Sequence, residues 1–368
     1  MSDSELSSLR SKIAETDKEI FDLIKKRMDL CEMVGKYKIE KNLPIKDYSV
    51  EKQIIEKAKK RAQEINLYED LVINLYLSLI KYSVIKQDEL ARTEKQKMTS
   101  KGTKTLIVGG KGHMGVWLSQ FFQSIDHDVT IYDPASSQLD NQNIVETNDF
   151  ESSIAAADYI VLATPLSKTA AVIDKIINLA PKGLLIEICS LKSPIENALK
   201  NAIKSGLRVS SIHPMFGPSA QVLADRNIII CEGEGLETED VTKNILETTS
   251  AKIVKIKFSA HDALMSYVLG AAHVVNICFS NLISKSGFVW QDIKAVAGTT
   301  FQEQMQISKE VIHENQDLYF EIQAMNKQSQ QVMTEITNVV EKLNATIKND
   351  RREDFKNIME ETKFFFES

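Results

Sequence analysis

The sequence predicts an α/β protein with all-helical parts on both sides: a helical N-terminal domain, a central doubly wound parallel sheet and a helical C-terminal domain. Three observations lead to this fold class. Residues 5–92 show only helical periodicity, residues 104–256 alternate short apolar runs with helical stretches, and helical periodicity returns beyond Ser259. We therefore expect domains at 1–92, 104–258 and 259–368, with the polar segment 93–103 as a linker.

The N-terminal domain is expected to contain one long helix and two shorter ones. Apolar residues recur at helical spacing from about 4 to 40, at Leu6, Leu9, Ile13, Ile20, Ile24, Cys31 and Val34. Such a helix spans roughly 55 Å and cannot bury its apolar face alone. Asn42-Leu43-Pro44 ends it, and helices at about 49–63 and 68–91 follow. An intertwined homodimer would cover the apolar face of the long helix.

Short apolar runs predict six strands in the central domain. Their continuous rather than alternating apolar character is typical of strands buried on both faces of a parallel sheet. They lie at Thr105–Val108, Val129–Tyr132, Tyr159–Ala163, Leu184–Ile188, Val209–Ile212 and Ile228–Cys231. We find no further strand after Ser259, so the C-terminal domain is expected to be helical throughout.

Composition and charge exclude several classes of protein. The 368 residues are 43% hydrophobic and 26% charged, with a net charge of −6, which argues against disorder and against a general basic field for nucleic acid. The apolar stretch Val268–Phe279 is interrupted by His273 and Asn276 and is shorter than the ~20 residues that span a membrane. We expect no nucleic-acid partner and no membrane.

Cysteine usage and the N-terminus indicate the compartment. The N-terminus is polar, without the apolar core of a signal peptide. The four cysteines, Cys31, Cys189, Cys231 and Cys278, form no CxxC pair and lie in apolar contexts, which predicts reduced core thiols and no metal site. A cytoplasmic protein is expected.

A glycine-rich loop after the first strand predicts a dinucleotide site. Gly110, Gly112 and Gly115 form GxGxxG between strand and helix, a spacing that gives a tight turn, close approach to pyrophosphate and close helix–strand packing. Asp133 ends the next strand, where an acid accepts hydrogen bonds from ribose hydroxyls. Because no Arg or Lys follows Asp133 closely, NAD is favoured over NADP. The expected cofactor-binding residues are Gly110, Lys111, Gly112, His113, Met114, Gly115, Asp133 and Thr164.

Polar residues at the ends of three further strands predict a substrate crevice. Thr164, Ser190 and His213 each follow an apolar run, and ligands of open α/β sheets bind outside the carboxyl ends of the strands. His213 is the best candidate for a catalytic base, since an imidazole of near-neutral pKa can take a hydroxyl proton as hydride leaves the same carbon.

These motifs resemble those of a known pair of enzymes. IHPMFGP at 212–218, the GGKGHMG loop, Ser190-Leu191-Lys192, His261-Asp262 and His273 resemble prephenate dehydrogenase, with its Rossmann-type domain and helical dimerisation domain. The first ninety residues resemble the all-helical class of chorismate mutase, through LRSKI at 9–13, VGKYK at 34–38, PIKD at 44–47 and SVIKQ at 83–87. Together they cover nearly the whole chain in the order of the bifunctional chorismate mutase–prephenate dehydrogenase.

The resemblance implies a mutase site lined by Arg10, Arg27, Lys38, Asp47, Glu51, Ser83 and Gln87. Chorismate is a dianion that rearranges by a pericyclic shift, so the site needs arginines for the carboxylates and donors, Lys38 and Gln87, for the ether oxygen. Arg27 and Lys38 are three helical turns apart and share a face, whereas Arg10 is about 25 Å from Arg27 along the helix. Arg10 should therefore enter the site of a dimer partner. Val50 replaces an arginine that is usual in the family.

For the second half, the resemblance implies oxidation of prephenate to 4-hydroxyphenylpyruvate, the tyrosine precursor, with NAD. His213 would accept the ring hydroxyl proton, Ser190 would orient His213 or the hydroxyl, and His273 would line the substrate side. A family arginine that binds a substrate carboxylate aligns with Gln302, and no arginine occurs between Ile228 and Asp350. Lys309, seven residues further along the same helical face, or a residue of the dimer partner is the hypothetical replacement.

Three alternatives stay open at this point. Gln302 could reflect a preference for arogenate, whose side chain carries an amino group. The second half could instead be a nucleotide- or product-binding regulatory module beside an active mutase. The helical domain could be a pyruvate lyase acting on isochorismate, although Gln87 and the fused dehydrogenase favour the mutase.

Overall fold

The structure, a computed structural model, describes residues 3–41, 43, 47–93, 102–135, 144–223 and 226–367. The chain divides into two compact units. The first comprises Met1–Cys189 and Ala198–Lys257, and the second comprises Ser190–Asn197 and Phe258–Ser368. Most of the expected linker, residues 94–101, lies outside the described residues.

Three helices form the N-terminal part of the first unit, as the periodicity predicted. They are α1 (Asp3–Glu40), α2 (Tyr48–Glu64) and α3 (Glu69–Thr93), and α3 packs against both of the others. Asp47 caps α2, because its carboxylate accepts the backbone N–H of Val50 at 3.0 Å. Ile13 and Phe21 of α1 are 61% and 71% exposed in the single chain, so the described residues leave this part of the helix uncovered.

An eight-stranded sheet forms the rest of the first unit. Its order is β3-β2-β1-β4-β5-β6-β7-β8, and every neighbouring pair is parallel except β6 and β7. The strands are β1 (Lys104–Val108), β2 (Asp128–Tyr132), β3 (Val145–Thr147), β4 (Tyr159–Leu162), β5 (Leu184–Glu187), β6 (Val209–Pro214), β7 (Asn227–Glu232) and β8 (Lys252–Lys257). Helices α4 (His113–Ser124), α5 (Phe150–Ala156), α6 (Leu166–Leu179), α7 (Glu196–Lys204) and α8 (Glu239–Asn244) connect them.

The sheet confirms the six predicted strands and corrects the prediction in two respects. Two strands, β3 and β8, were missed because β3 has only three residues and the KIVKIK sequence of β8 alternates lysines with apolar residues. The sheet is also not wholly parallel, since β7 runs opposite to β6. The central strands β4 and β5 are buried along their whole length, which is why they appear in the sequence as continuous apolar runs.

The N-terminal helices pack on the sheet domain within the first unit. Tyr48 at the start of α2 lies against Trp117 and Phe121 of α4, with ring centroids 6.0 and 5.4 Å apart. Lys52, one turn further along α2, donates to the backbone carbonyl of Glu247 at 3.0 Å. Since Tyr48 is only 1% exposed, this contact is part of the buried core.

The second unit is helical from Phe258 onward, as predicted, and also contains the loop segment Ser190–Asn197. Its helices are α9 (Phe258–Met265), α10 (Ala272–Ser284), α11 (Trp290–Ala295), α12 (Thr299–His313), α13 (Gln316–Met325), α14 (Ser329–Lys348) and α15 (Arg352–Glu367). A π-helical turn at Ser266–Ala271 joins α9 to α10, and Gln323 of α13 donates to the backbone carbonyl of Gly270 in that turn at 3.0 Å.

Two expectations about this unit need correction. The apolar segment is longer than Val268–Phe279, because α9 and α10 form a continuous run, Phe258–Ser284, of 27 residues that is long and apolar enough to cross a membrane by length and composition. Its polar residues Asp262 and Asn276 are nevertheless buried in hydrogen bonds within the unit, as in the core helix of a globular domain. Cys278 is exposed, so it is not a core thiol.

Candidate active sites

The glycine loop between β1 and α4 has the shape of a dinucleotide cradle. An added Cβ at Gly110 would lie 2.4 Å from the Cβ of Ile131, and one at Gly115 would lie 2.4 Å from the carbonyl oxygen of Gly109. At Gly112, which precedes the first turn of α4, a Cβ would meet only that same oxygen, at 3.5 Å. The space over Gly112 and the helix N-terminus is therefore open for a pyrophosphate, so these residues fit the cofactor.

Gly109 is a residue of this loop that the sequence pattern did not single out. Its φ of +82° lies in the left-handed region, and an added Cβ would be 2.7 Å from the carbonyl oxygen of Ala163 at the end of β4. A glycine is thus required at position 109, immediately before the GxGxxG motif. In the sequence, this requirement shows only as the pair of adjacent glycines Gly109-Gly110. Of the other predicted loop residues, His113 is exposed and Met114 packs partly against the core.

A Gly112→Ala variant is expected to fold normally and to bind NAD about one to two orders of magnitude more weakly, because overfilling a fitted site costs ~1–3 kcal/mol. Its Cβ meets nothing closer than 3.5 Å in the protein, so the thermal midpoint should be kept. Calorimetric titration with NAD measures the loss. Gly298→Ala, at a glycine with no atom within 4 Å of the added Cβ, is the matched control. Unchanged NAD affinity in Gly112→Ala would contradict the placement of the pyrophosphate.

Asp133 and Lys111 meet at the end of the glycine loop where the ribose is expected. The Asp133 carboxylate accepts the backbone N–H of Lys111 at 3.0 Å and that of Ala135 at 2.9 Å. The ammonium group of Lys111 lies 3.0 Å from Glu146 on β3 and 3.0 Å from the carbonyl oxygen of Ala135. The structure thus joins the predicted Asp133 to the glycine loop and adds Glu146, which the sequence analysis did not name.

His213 and Thr164 lie at strand ends in the same unit. His213 is the penultimate residue of strand β6 and is 4% exposed. Thr164 follows β4, and its hydroxyl is 2.8 Å from that of the buried Thr169 on α6. Both are at the carboxyl ends of their strands, where the sequence analysis placed the crevice.

A buried carboxylate that the sequence analysis missed fixes the end of β5. Glu187 is fully buried, accepts the backbone N–H of Cys189 at 2.7 Å and accepts the hydroxyl of Ser211 from β6. In the sequence, the one indication of a buried carboxylate is the single acidic residue inside the apolar run LLIEI at 184–188. Glu187 therefore determines the backbone path just before Ser190.

The segment that follows, Ser190–Asn197, belongs to the second unit, where Asp262 holds it. Asp262 on α9 accepts the backbone N–H of Lys192 at 2.8 Å and of Ser193 at 2.7 Å, and it is 2.8 Å from the Nδ1 of His261. Despite burial, which opposes ionisation, these hydrogen bonds hold the pKa of the Asp262 carboxyl well below its usual range. An ionised Asp262 thus anchors the loop that carries Ser190.

His273 lies in a buried polar region of the second unit. Its ring stacks on that of Tyr319 with centroids 3.9 Å apart, and burial lowers its pKa to about 4. His273 is therefore neutral at pH 7, and its Nδ1 has no hydrogen-bond partner in the described part of the chain. One turn along α10, Asn276 accepts hydrogen bonds from Gln304 and Ser308 of α12, both at 2.8 Å.

Gln302 and Lys309 face outward from the same helix. Gln302 donates to the backbone carbonyl of Ala297 at 2.9 Å, and the Lys309 ammonium lies 4.9 Å from the ring centroid of Trp290. Both are exposed in the single chain, whereas Gln304 and Ser308 point inward. Their role in binding a substrate carboxylate stays a prediction.

Facing positions of α1 and α3 bring three predicted mutase residues, Arg27, Ser83 and Gln87, to the same contact between the two helices. Arg27 donates to the Ser83 hydroxyl at 2.8 Å and to the carbonyl oxygen of Leu79 at 3.2 Å. One turn beyond Ser83, the buried Gln87 lies against Gly35, where an added Cβ would be 2.8 Å from its Cγ. Gly35 thus lets α3 approach α1 next to Lys38.

Lys38, one helical turn beyond Gly35, interacts with the Asp47 carboxylate, whereas Arg10 lies far from Lys38 along α1. Burial lowers the pKa of Lys38, an effect that the Asp47 carboxylate partly opposes. Arg10 is exposed near the N-terminal end of α1, 17 residues before Arg27 and hence about 25 Å away along the helix. The structure confirms the uninterrupted helix, Asp3–Glu40, on which this separation depends.

Glu51 has contacts that the sequence did not predict, while its place in the mutase site stays a prediction. One carboxylate oxygen accepts the backbone N–H of Leu223 at 2.7 Å and the hydroxyl of Ser250 at 2.5 Å, both from the sheet domain, and Glu51 is 5% exposed. The neighbouring Val50 is 45% exposed. A residue expected to line the mutase site therefore also joins α2 to the nucleotide-binding fold.

Three family models match successive parts of the chain. Chorismate mutase type II matches residues 9–88, the nucleotide-binding domain of prephenate dehydrogenase matches 122–255, and its dimerization domain matches 257–361. Between them they cover most of the sequence, in the order found for the three structural parts.

Individual relatives agree with this division. The T-protein of Haemophilus influenzae is 22% identical over 98% of this chain and 92% of its own length. From Methanocaldococcus jannaschii, a chorismate mutase is 33% identical over 21% of this chain and 79% of its own length. A probable arogenate/prephenate dehydrogenase of the same organism is 26% identical over 71% of this chain, which spans only 60% of that relative's length.

A solved structure supports the fold. The prephenate dehydrogenase of A. aeolicus, crystallised with hydroxyphenyl propionate and NAD+, superposes with a TM-score of 0.57 at 17% identity, over 73% of this chain and 98% of that chain. At this identity the likeness establishes the fold of the sheet and C-terminal helices.

Proposed function

Because the chain belongs to the family in which a helical chorismate mutase precedes a prephenate dehydrogenase, we propose that it rearranges chorismate to prephenate and then oxidises prephenate with NAD. The products of the second step would be 4-hydroxyphenylpyruvate and carbon dioxide. The observation that carries the proposal is the contact between α1 and α3, where Arg27 meets Ser83 and Gln87 packs on Gly35 one turn before the half-buried Lys38, in one chain with the dinucleotide cradle.

The mutase step needs charge and shape rather than a nucleophile. Arg27, already held by Ser83 and Leu79, is preorganised to bind a carboxylate of the dianion. Lys38 and Gln87 donate to the ether oxygen, where negative charge grows as the C–O bond breaks. Arg10 of a second protomer would bind the other carboxylate, since the Arg10 of the same chain is too far away. A homodimer also covers the exposed apolar residues of α1.

In the dehydrogenase step, His213 is the proton acceptor. NAD, when bound, accepts the hydride from the ring carbon that carries the hydroxyl. As the hydride leaves, the His213 imidazole takes the hydroxyl proton; the ring carboxylate departs as carbon dioxide, and the oxygen regains its proton as a phenol. The loop held by Asp262 positions Ser190, and a neutral His273 lines the substrate side as a hydrogen-bonding group rather than a cation.

Arogenate is the second candidate substrate, favoured by one observation. Gln302 stands where the family has an arginine, and within the protomer it is bonded to Ala297 rather than directed to the interior. The inward-facing groups of α12 are the neutral Gln304 and Ser308.

A cytoplasmic location is proposed because the four cysteines are free.

The test supplies chorismate and NAD together and follows NADH absorbance, with products identified by mass. We expect NADH together with 4-hydroxyphenylpyruvate. Prephenate without NADH would support the mutase alone; added arogenate or NADP would then distinguish a different substrate or cofactor from a regulatory second half. Pyruvate from isochorismate, with no turnover of chorismate, would contradict the mutase assignment.

A further inference from the structure

A cation lies at the ribose end of the cradle, although none follows Asp133 closely in the sequence. It is Lys111, whose backbone N–H and side chain both reach this region: the N–H bonds to Asp133, and the ammonium contacts Ala135 two residues later. In dinucleotide-binding folds this is where the 2′-hydroxyl of NAD or the 2′-phosphate of NADP is recognised. Lys111 by itself would attract the phosphate.

Glu146 forms an ion pair with this lysine. Its carboxylate is 3.0 Å from the Lys111 ammonium, and the Lys111 side chain is only 13% exposed, so the ion pair is partly shielded from water. The position is fixed by the sheet, since Glu146 is the middle residue of β3 and pairs in register with Ile131 of β2. The short edge strand therefore brings an acid to the ribose end of the cofactor site.

We propose that Glu146 determines the preference for NAD over NADP by neutralising Lys111. With Glu146 paired to Lys111, the charge left unpaired among the described residues at the ribose end is the Asp133 carboxylate, which accepts a 2′-hydroxyl and repels a 2′-phosphate. Without Glu146, the ammonium is released to pair with the phosphate. This inference rests on the proposed use of a nicotinamide dinucleotide and adds the residue that selects between the two.

The test is direct binding, measured by titration calorimetry with NAD, NADP and adenosine 2′,5′-bisphosphate. Glu146→Gln is expected to bind NADP and the bisphosphate about fivefold more tightly, in line with a partly exposed ion pair, and to change NAD affinity less. The gain should shrink as salt is raised from 50 mM to 500 mM, because added salt screens the charge interaction.

Two further variants separate this mechanism from a general change of charge. Lys111→Met in the Glu146→Gln background should remove the gain, since the side chain that meets the phosphate is gone. Glu151→Gln on the nearby α5 changes the net charge equally at an exposed position and should not alter NADP binding. If Glu146→Gln binds NAD normally but gains nothing for NADP or the bisphosphate, the inference is wrong. If the unmodified protein binds neither dinucleotide, the proposed dehydrogenase function fails instead.

Discussion

A Lys38→Ala variant is expected to rearrange chorismate about 10²–10³-fold more slowly, the usual loss when one preorganised donor to a developing oxyanion is removed. Lys38 is half-buried on α1 and interacts with the Asp47 carboxylate, so alanine removes a cation that the fold already holds in place. The measurement is the initial rate of chorismate loss. Dehydrogenase turnover of supplied prephenate should be unchanged.

The matched control is Lys36→Ala, two residues earlier on α1. The Lys36 side chain is 64% exposed and pairs with Glu32, so its removal should leave the mutase rate within about twofold. A Lys38→Ala enzyme that retains a tenth or more of the original rate would contradict the assignment of Lys38 to the ether oxygen.

The pH dependence of the mutase gives an independent check on Lys38. Catalysis needs the ammonium form, and burial lowers the pKa of this lysine, so activity should fall on the alkaline side at a lower pH than an exposed lysine would produce. Lys38→Arg keeps its charge throughout the range and should remove this alkaline fall, whatever its rate at neutral pH. An identical alkaline profile in both proteins would assign the titration to another group.

The sequence was most informative where periodicity and chemistry coincide. The helix α1 and the separation of Arg10 from Arg27 and Lys38 follow from length and spacing alone, because a helix has a fixed rise per residue. The glycine loop and Asp133 were likewise predictable, since their residue types follow from the backbone geometry that the cofactor requires.

Contacts between distant segments could not be predicted in this way. Glu51 accepts hydrogen bonds from Leu223 and Ser250, about 170 and 200 residues away, and nothing local in α2 marks it for that role. Asp262 likewise accepts a hydrogen bond from the backbone N–H of Lys192. The segment Ser190–Asn197, which its position in the sequence assigns to the sheet domain, therefore packs with the C-terminal helices. Such pairs depend on tertiary packing, which a residue pattern from one chain does not encode.

The short edge strand β3 illustrates the same limit with a functional consequence. Three residues, of which only Val145 is apolar, give no strand signal, yet their pairing with β2 brings Glu146 to Lys111. The sequence predicted a preference for NAD because no cation closely follows Asp133. The structure adds the ion pair between Lys111, which precedes Asp133, and Glu146, which follows it.

A His213→Asn variant is expected to lower dehydrogenase turnover of prephenate by about 10²–10⁴-fold, the range for loss of a positioned proton acceptor. Asparagine preserves a polar group at this buried strand end but cannot take up the hydroxyl proton as hydride leaves. NADH formation with supplied prephenate measures the loss. NAD affinity should be kept, because the cradle residues lie on a different loop.

Two controls make this result specific to His213. His313→Asn is the same substitution at an exposed histidine near the end of α12 and should leave turnover unchanged. The mutase rate of the His213→Asn protein reports on folding, since the proposed mutase residues lie on α1 and α3 of the same chain. Turnover within tenfold of the original enzyme, with both controls normal, would mean that the proton is taken by another group. A loss of both activities together would indicate a folding defect, and His213→Gln, which retains more of the buried volume, would then be the variant to measure.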